Sequence, residues 1–483
     1  MRVVILGAGI SGHTAALVLR RRLGQEHEVV VITPKPKWNW IPSNIWVGIG
    51  HMSADDVTFD LKEVYDKSGI RLIQARATEI HPEGGDSSAQ PYVTFETTDG
   101  SSPDVQTIQY DYLINATGPR LNFEATPGLG PHGGHSLSVC TVEHAVETAS
   151  ALSELIKEMQ AGKKKTLVVG TGHGLCTCEG AAFEYIFNLE FELRQRGVRD
   201  QARLIFLTNE AELGDFGVGG LHFKNAGFIT PSRVFAESLF TERGVEWITG
   251  AHFRRVDKDK IEYENLDGEI LSQDFDFTML LPPFTGVPLK AFDRAGSDIT
   301  ATLFSPTSFM RVDANSQPKT FQEWRPEDWP ETYQTRYANV FAIGIAFAPP
   351  HAISRPEKNK NGTLIAPAPP RTGMPSAIMG RAVAASIGDM IEGKSKGPTH
   401  GASMAKLGAA CVASAGDNLW SGSAVSMTMY PIVPDHKTYP HFGRSLRYTT
   451  GEIGLAGHWI KKLLHYAFIY KAKAHPFWWI IPE

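Results

Sequence analysis

Four cysteines stand in the 483-residue chain, and two of them fall within one stretch, GTGHGLCTCEGAAFEY, Gly170–Tyr185. Glycines at this spacing after the apolar run TLVV have the form of a strand entering a phosphate-cradling turn and then a helix. Cys176 and Cys178 fall where that helix should begin. A helix N-terminus gathers free amides and the positive end of the macrodipole. A thiol there is expected to ionise below its ordinary pKa and to act as a nucleophile. The plain alternative is a buried, inert cysteine. No metal site is expected, because Cys-x-Cys finds no matching second pair. Cysteines two apart also pair poorly with each other, so a redox-active one needs a distant partner.

The elements that must position such thiols begin at the N-terminus. Arg2–Leu6 reads as a buried strand, Gly7-Ala-Gly9-Ile10-Ser11-Gly12 as the turn, and Thr14–Arg22 as the helix. Strand, GxGxxG and helix in immediate succession predict a dinucleotide-binding fold with pyrophosphate on the helix N-terminus. The next strand ends in Thr33 and Pro34, where an acidic residue would hold the ribose. Two later strands, one running into Ala116-Thr117-Gly118 and one ending at Gly344, are the returns by which flavoproteins with two dinucleotide folds close on their flavin. FAD is therefore the expected cofactor, although Ile345 stands where many flavoproteins carry Asp.

The second loop is incomplete for NAD: Gly170 and Gly172 are present, but Leu175 replaces the third small residue. Glu210, after the following strand, keeps a ribose contact open. The length predicts two or three domains. A hydrophobic content of 42% with 20% charged residues is that of a globular protein, and a net charge of −5 gives no reason to expect nucleic acid. No run approaches the roughly 18–20 apolar residues that span a bilayer. The opening MRVVILGAGISG has no leader-like pattern, so the chain is expected to stay on the side of the membrane where it is made.

With these motifs in place, the chain resembles the sulfide:quinone oxidoreductases over nearly its whole length. Ile41–Phe59, with Ser43 and Asn44, resembles the family's loop along the flavin. SVCTVEHA, CEGAAFEY and AACVASAG resemble the contexts of its three cysteines, at Cys140, Cys178 and Cys411. Pro370–Ile387, with Thr372 and Gly373, resembles its helix beside flavin and quinone. The resemblance implies an α/β fold of glutathione reductase-like type, with two Rossmann-like domains and a C-terminal membrane-associated region. Residues 1–150 with 285–395 would bind FAD, 151–284 would form the second, degenerate dinucleotide domain, and 396–483 the C-terminal region.

It further implies that Cys178 and Cys411 lie together on the flavin face opposite the quinone, bridged directly or through extra sulfur when oxidised. Hydrosulfide opens the bridge, leaving a persulfide on one cysteine, and the thiolate, assigned to Cys411, passes two electrons to the flavin. Cys140 would handle the polysulfur product or attach to FAD, and Glu184 and His144 would handle protons. The electrons would reach ubiquinone or menaquinone. Departures from the family are Cys176, an extra thiol; Asp215, where some members have histidine; Ser414 for a frequent Asp; and an insertion at 316–335, read as a surface lid. The rivals are a type II NADH:quinone oxidoreductase, a cytochrome c-linked sulfide dehydrogenase flavoprotein, and a flavin-bearing redox sensor.

Val433–Glu483 carries seven Lys or Arg against three Asp or Glu. Leu455, Trp459, Leu463, Tyr466 and Tyr470 share one face of a predicted helix, with Lys461 and Lys462 off it. Basic residues beside amphipathic aromatics predict a helix lying in the membrane interface, so that the protein is peripheral to a membrane. A docked helix or a homo-oligomer contact is the alternative. Tyr430-Pro431 and the loop Pro349–Pro370 are expected along the quinone route.

Overall fold

Uninterrupted runs of Val and Ile make the central strands, as burial on both faces of a parallel sheet requires. The computed structural model describes residues 1–100, 104–225, 227–416 and 420–483. The elements that position the site begin with β1 (Arg2–Leu6), α1 (Ile10–Arg22), β2 (Glu28–Thr33), α2 (Asn44–Ile49), β3 (Arg71–His81), β4 (Tyr92–Thr97), β5 (Val105–Gln109), β6 (Tyr112–Asn115) and α3 (Val142–Gln160). There follow β7 (Lys165–Thr171), α4 (Glu179–Gln195), β8 (Ala202–Leu207), β9 (Val245–Ile248), β10 (Phe277–Leu281), β11 (Val340–Ala342) and α5 (Gly373–Ile391). The last are β12 (Ala409–Ala415), β13 (Ser423–Met429), β14 (Thr450–Gly454) and α6 (Leu455–Ala472).

The largest sheet has the order β11-β6-β1-β2-β3-β4-β5. Its strands are parallel from β11 to β3, and β3, β4 and β5 continue it as an antiparallel meander. Helices α1 and α5 pack against each other through small residues: a Cβ on Gly380 of α5 would strike the backbone carbonyl of Ser11. A second sheet, β9-β8-β7-β10, is parallel throughout, and a third, β12-β13-β14, is antiparallel. Helix α4 packs on β12, and α6 packs on β12 and β13.

Two boundaries differ from the sequence reading. Helix α1 starts at Ile10 rather than Thr14, because Gly9 itself is the cap. Of Tyr337–Phe347 only Val340–Ala342 is strand. The insertion 316–335 is anchored rather than loose: Trp329 is buried, edge-on to Phe347, while Trp324 stacks on His351 at 4.6 Å.

The basic character of the C-terminal region is also less than its sequence promised. Arg444 is buried against the carbonyls of Val218, Gly220, Pro431 and Ile432, Lys461 turns inward to Glu184, and Lys471 is buried with Glu483 at 2.8 Å. Trp478 is buried, and Trp479 lies under the Arg21 guanidinium at 4.3 Å. The apolar face itself is open: Trp459, Leu463, Tyr466 and Tyr470 are all exposed, together with Ile460, Phe477 and Ile480. Among the described residues, no helix is long and apolar enough to cross a membrane.

Candidate active site

The first glycine loop closes on the two returns. Gly7 has φ +94°, and a Cβ there would collide with Ala116 and Thr117, while one on Gly12 would lie 2.9 Å from the Ala116 side chain. Gly344, at φ +65°, is pressed against the Ser11 side chain, and a Cβ on Gly373 would lie 3.0 Å from Ile10. Thr372 caps α5 beside them. Gly9 and Gly118 differ: their missing Cβ atoms would stand in open space. Gly9 also caps α1 without any side chain closing its first-turn amides. Bare backbone facing space at a helix N-terminus is a cradle for a pyrophosphate, so the residues fit a dinucleotide cofactor. Ser43 and Asn44 are fully buried. Ser43 pairs with His465 of α6 at 2.8 Å, and Asn44 pairs with Asn39 and donates to the Val139 carbonyl at 3.3 Å.

The second loop departs from the plan. Its helix does not begin at the glycines but at Glu179, capped by Cys178. Cys178 adopts φ +70°, ψ 31°, a left-handed conformation that costs a non-glycine residue on the order of 1 kcal/mol or more. The Cys411 sulfur on β12 comes within 3.6 Å of the Cβ position of Gly180, in the first turn of the same helix, two residues after Cys178. Cys140, just before α3, lies within electrostatic range of both Cys176 and Cys178. Three segments about 40 and 230 residues apart in sequence thus bring their thiols to one helix N-terminus. Cys176 is fully buried and donates to the Leu281 carbonyl at 3.1 Å.

The expected lowering of the thiol pKa does not occur. Burial pushes Cys140 and Cys411 up to about 11 and Cys178 up to about 12, the last helped by the neighbouring Glu179 carboxyl. A helix N-terminus supplies only about 0.3–1 kcal/mol, less than one pKa unit, and cannot offset an enclosed site. Two cations that motif reading did not single out act against burial. The Lys461 ammonium lowers Cys411, and the half-buried Arg371, itself lowered to about 10 by desolvation, faces Cys178, whose sulfur also receives the Arg371 backbone amide.

Glu184 sits in this group. It accepts from the Ser414 amide at 3.1 Å and from Lys461 at 3.1 Å, while burial raises its carboxyl above the usual range. Ser414, in place of the frequent Asp, turns its hydroxyl to His458 of α6. His144 stands in the first turn of α3 with its ring against Phe123 and His132, and burial lowers its pKa.

The nicotinamide half of the plan is filled by the chain itself. A Cβ on Gly172 would strike Leu129, and one on Gly174 would strike His252. Glu210, kept open above as a ribose ligand, is buried, accepting from the Phe216 amide at 2.8 Å and the Thr208 hydroxyl at 3.0 Å.

The pyridine nucleotide-disulphide oxidoreductase family profile matches residues 1–194. The sulfide-quinone reductase of Aquifex aeolicus is 30% identical over 385 residues, spanning 80% of this chain and 75% of that protein. The X-ray structure of the sulfide:quinone oxidoreductase from Aquifex aeolicus aligns with a TM-score of 0.74 at 27% identity, covering 98% of this chain and 91% of that one. NDH2 of Plasmodium falciparum, in complex with NADH, reaches 0.64 at 12% identity, covering 99% of this chain and 96% of that one, a likeness of fold alone. The chain has the flavoprotein fold of the pyridine nucleotide-disulphide oxidoreductases.

Proposed function

The chain belongs to the sulfide:quinone oxidoreductase family, and from that premise we propose that it oxidises hydrogen sulfide to polysulfide or sulfur, using a cysteine pair and FAD to pass two electrons to a membrane quinone. The observation that supports this reading is that Cys178 caps α4, the Cys411 sulfur lies 3.6 Å from the Cβ position of Gly180 in its first turn, and Cys140 lies within electrostatic range of Cys178. Hydrosulfide attacks the bridged pair at Cys178, breaking the bond to the Cys411 side and leaving a persulfide on Cys178 and a thiolate on Cys411. Lys461 steadies that thiolate, and Arg371 faces the sulfur of Cys178. Cys140 receives or extends the sulfur chain. Glu184, whose carboxyl burial raises, hands protons to the Cys411 side, and His144 serves at the Cys140 end.

FAD is held by Gly7, Gly9, Ile10, Ser11, Gly12, Ser43, Asn44, Ala116, Thr117, Gly118, Gly344, Thr372 and Gly373. When bound, the flavin supplies a two-electron relay between the thiols and a quinone. The FAD-binding part comprises residues 1–150 and 285–395, the second fold 151–284, and the C-terminal region 396–483. The exposed face of α6 rests in the membrane interface, where ubiquinone or menaquinone is reached without a spanning helix.

The test is anaerobic mixing of FAD-loaded protein with sulfide, then with a short-chain quinone, following flavin absorbance. Bleaching by sulfide, recovery with quinone, and loss of bleaching in Cys178→Ser and Cys411→Ser are expected. A flavin that sulfide leaves oxidised, or mutants that bleach at the wild-type rate, would remove the reading.

A further inference from the structure

Glu179, the first residue of α4, has no part in the reading above. It is fully buried, and neither carboxyl oxygen has a hydrogen-bond partner. Two more carboxyls face it from the segment after β8, Glu210 and Asp215. Both of these are served: Glu210 by the Phe216 amide and the Thr208 hydroxyl, Asp215 by the Ser354 hydroxyl and the Gly217 amide. The Glu179 Oε2 atom points to the same turn, 3.2 Å from the Cβ position of Gly217. Asn209 lies beside it with its nitrogen committed to the carbonyls of Gly174 and Cys176. Cys176 and Cys178 lie within electrostatic range of it, and each thiol is raised by it. The nearby guanidiniums face elsewhere, Arg444 to Asp215 and Arg371 to Cys178.

An ionised carboxylate in this place would have no well-formed hydrogen bond, only its own backbone amide and the Asn209 side chain nearby, which leaves a cost of several kcal/mol. It would also confront two further carboxyls. Burial and these neighbours push the Glu179 carboxyl well above the usual range and favour its protonated form. Among the described residues, no group of three or more His, Cys, Asp or Glu is arranged to hold a metal ion.

We infer that Glu179 is the proton donor to Cys178 when its sulfur is the leaving group in product release, with Glu210 and Asp215 as the path by which the proton is replaced. This rests on the function proposed above. A second hydrosulfide attacks the outer sulfur of the Cys178 persulfide, and a new S–S bond forms to give hydrogen disulfide. The bond between that sulfur and Cys178 Sγ breaks, its electron pair goes to Sγ, and the Glu179 proton follows. The products are the Cys178 thiol and the Glu179 carboxylate, with no external oxidant. A donor is needed because an enclosed thiol with a strongly raised pKa makes a poor leaving thiolate. The attacking anion and the departing disulfide leave the charge of the site unchanged, moved from hydrosulfide to Glu179.

The experiment follows the persulfide on Cys178 by intact-protein and peptide mass after sulfide is added anaerobically to the FAD-loaded enzyme. In Glu179→Gln, which keeps the shape but holds no transferable acid proton, the persulfide persists on the order of 100-fold longer. In the wild type its decay slows as pH rises through the Glu179 titration, whereas in Glu179→Gln it does not respond. Asp215→Asn removes a negative neighbour, lowers the proton affinity of Glu179 and moves the wild-type limb to lower pH, which keeps the inference testable if Glu179→Gln fails to retain FAD. Wild-type persulfide decay in Glu179→Gln, or an unmoved limb in Asp215→Asn, overturns the inference. A wild-type protein that forms no persulfide with sulfide overturns the function reading instead.

Discussion

Lys461 shows how a single residue links the outer helix to the thiols. Its ammonium lies 3.1 Å from the Glu184 carboxylate, with its side chain only 13% exposed, and it lowers the pKa of Cys411. Replacing it with methionine keeps most of the stem and removes the charge. Cys411 then rises above its present value of about 11, and at neutral pH its thiolate fraction falls roughly tenfold per pKa unit. Alkylation of Cys411 by iodoacetamide, mapped by peptide mass, should slow by about tenfold in Lys461→Met. An unchanged rate at every pH would remove Lys461 from the site. The three cysteines were legible in their motifs, as was Glu184. Lys461 was not, because its partner is 277 residues away and its amphipathic helix made it look like a surface base. Arg371 was likewise hidden, since nothing in PRTG reveals a guanidinium desolvated beside a sulfur.

Helix α6 has two faces with separate tasks. His458, His465 and Lys471 are buried on one, while Leu463 and Tyr466 are 67% and 66% exposed on the other. With Arg444, Lys461 and Lys471 committed to the interior, apolar contact must supply most of any membrane affinity. Each large apolar side chain brings roughly 1.5–3 kcal/mol when buried, and about 1.4 kcal/mol is a tenfold change. Leu463→Glu with Tyr466→Glu should therefore reduce co-sedimentation with anionic vesicles on the order of 100-fold while sulfide still bleaches the flavin. Undiminished vesicle binding would mean that this face meets protein rather than lipid. The face was readable from helical spacing, just as β1 and β2 were readable from unbroken Val and Ile runs. The start of α4 was not readable, because GTGHG carries glycines of the right spacing while the chain runs on six residues beyond Gly172 before the helix begins. Local composition cannot show that Leu129 and His252 come from elsewhere to cover those glycines.

At the scale of the molecule, the parallel strands of the first two sheets repeat one plan with opposite outcomes. Around β1 the bare glycines Gly9 and Gly118 face open space, so the first fold remains a dinucleotide cradle. Around β7 the corresponding surface is closed by Leu129 and His252, the carboxylate at the end of β8 is engaged by Thr208 and Phe216, and the helix end that would meet pyrophosphate is occupied by thiols. Each change removes one element of nicotinamide binding: backbone approach, ribose recognition and the anion-binding amides. Together they leave no compensating contact for the entropy of fixing a large flexible ligand. NADH should therefore bind more weakly than about 1 mM, a free energy less favourable than about −4.1 kcal/mol. Calorimetry of the FAD-loaded protein should give no saturable heat with NADH, and NADH should leave the flavin oxidised under conditions where sulfide bleaches it. Saturable micromolar binding, with flavin reduction that survives Cys178→Ser, would show that the second fold still works as a nicotinamide site and that Leu129 and His252 move aside. If the prediction holds, electrons enter this molecule at sulfur because the architecture that would have admitted a nicotinamide has been filled by its own side chains.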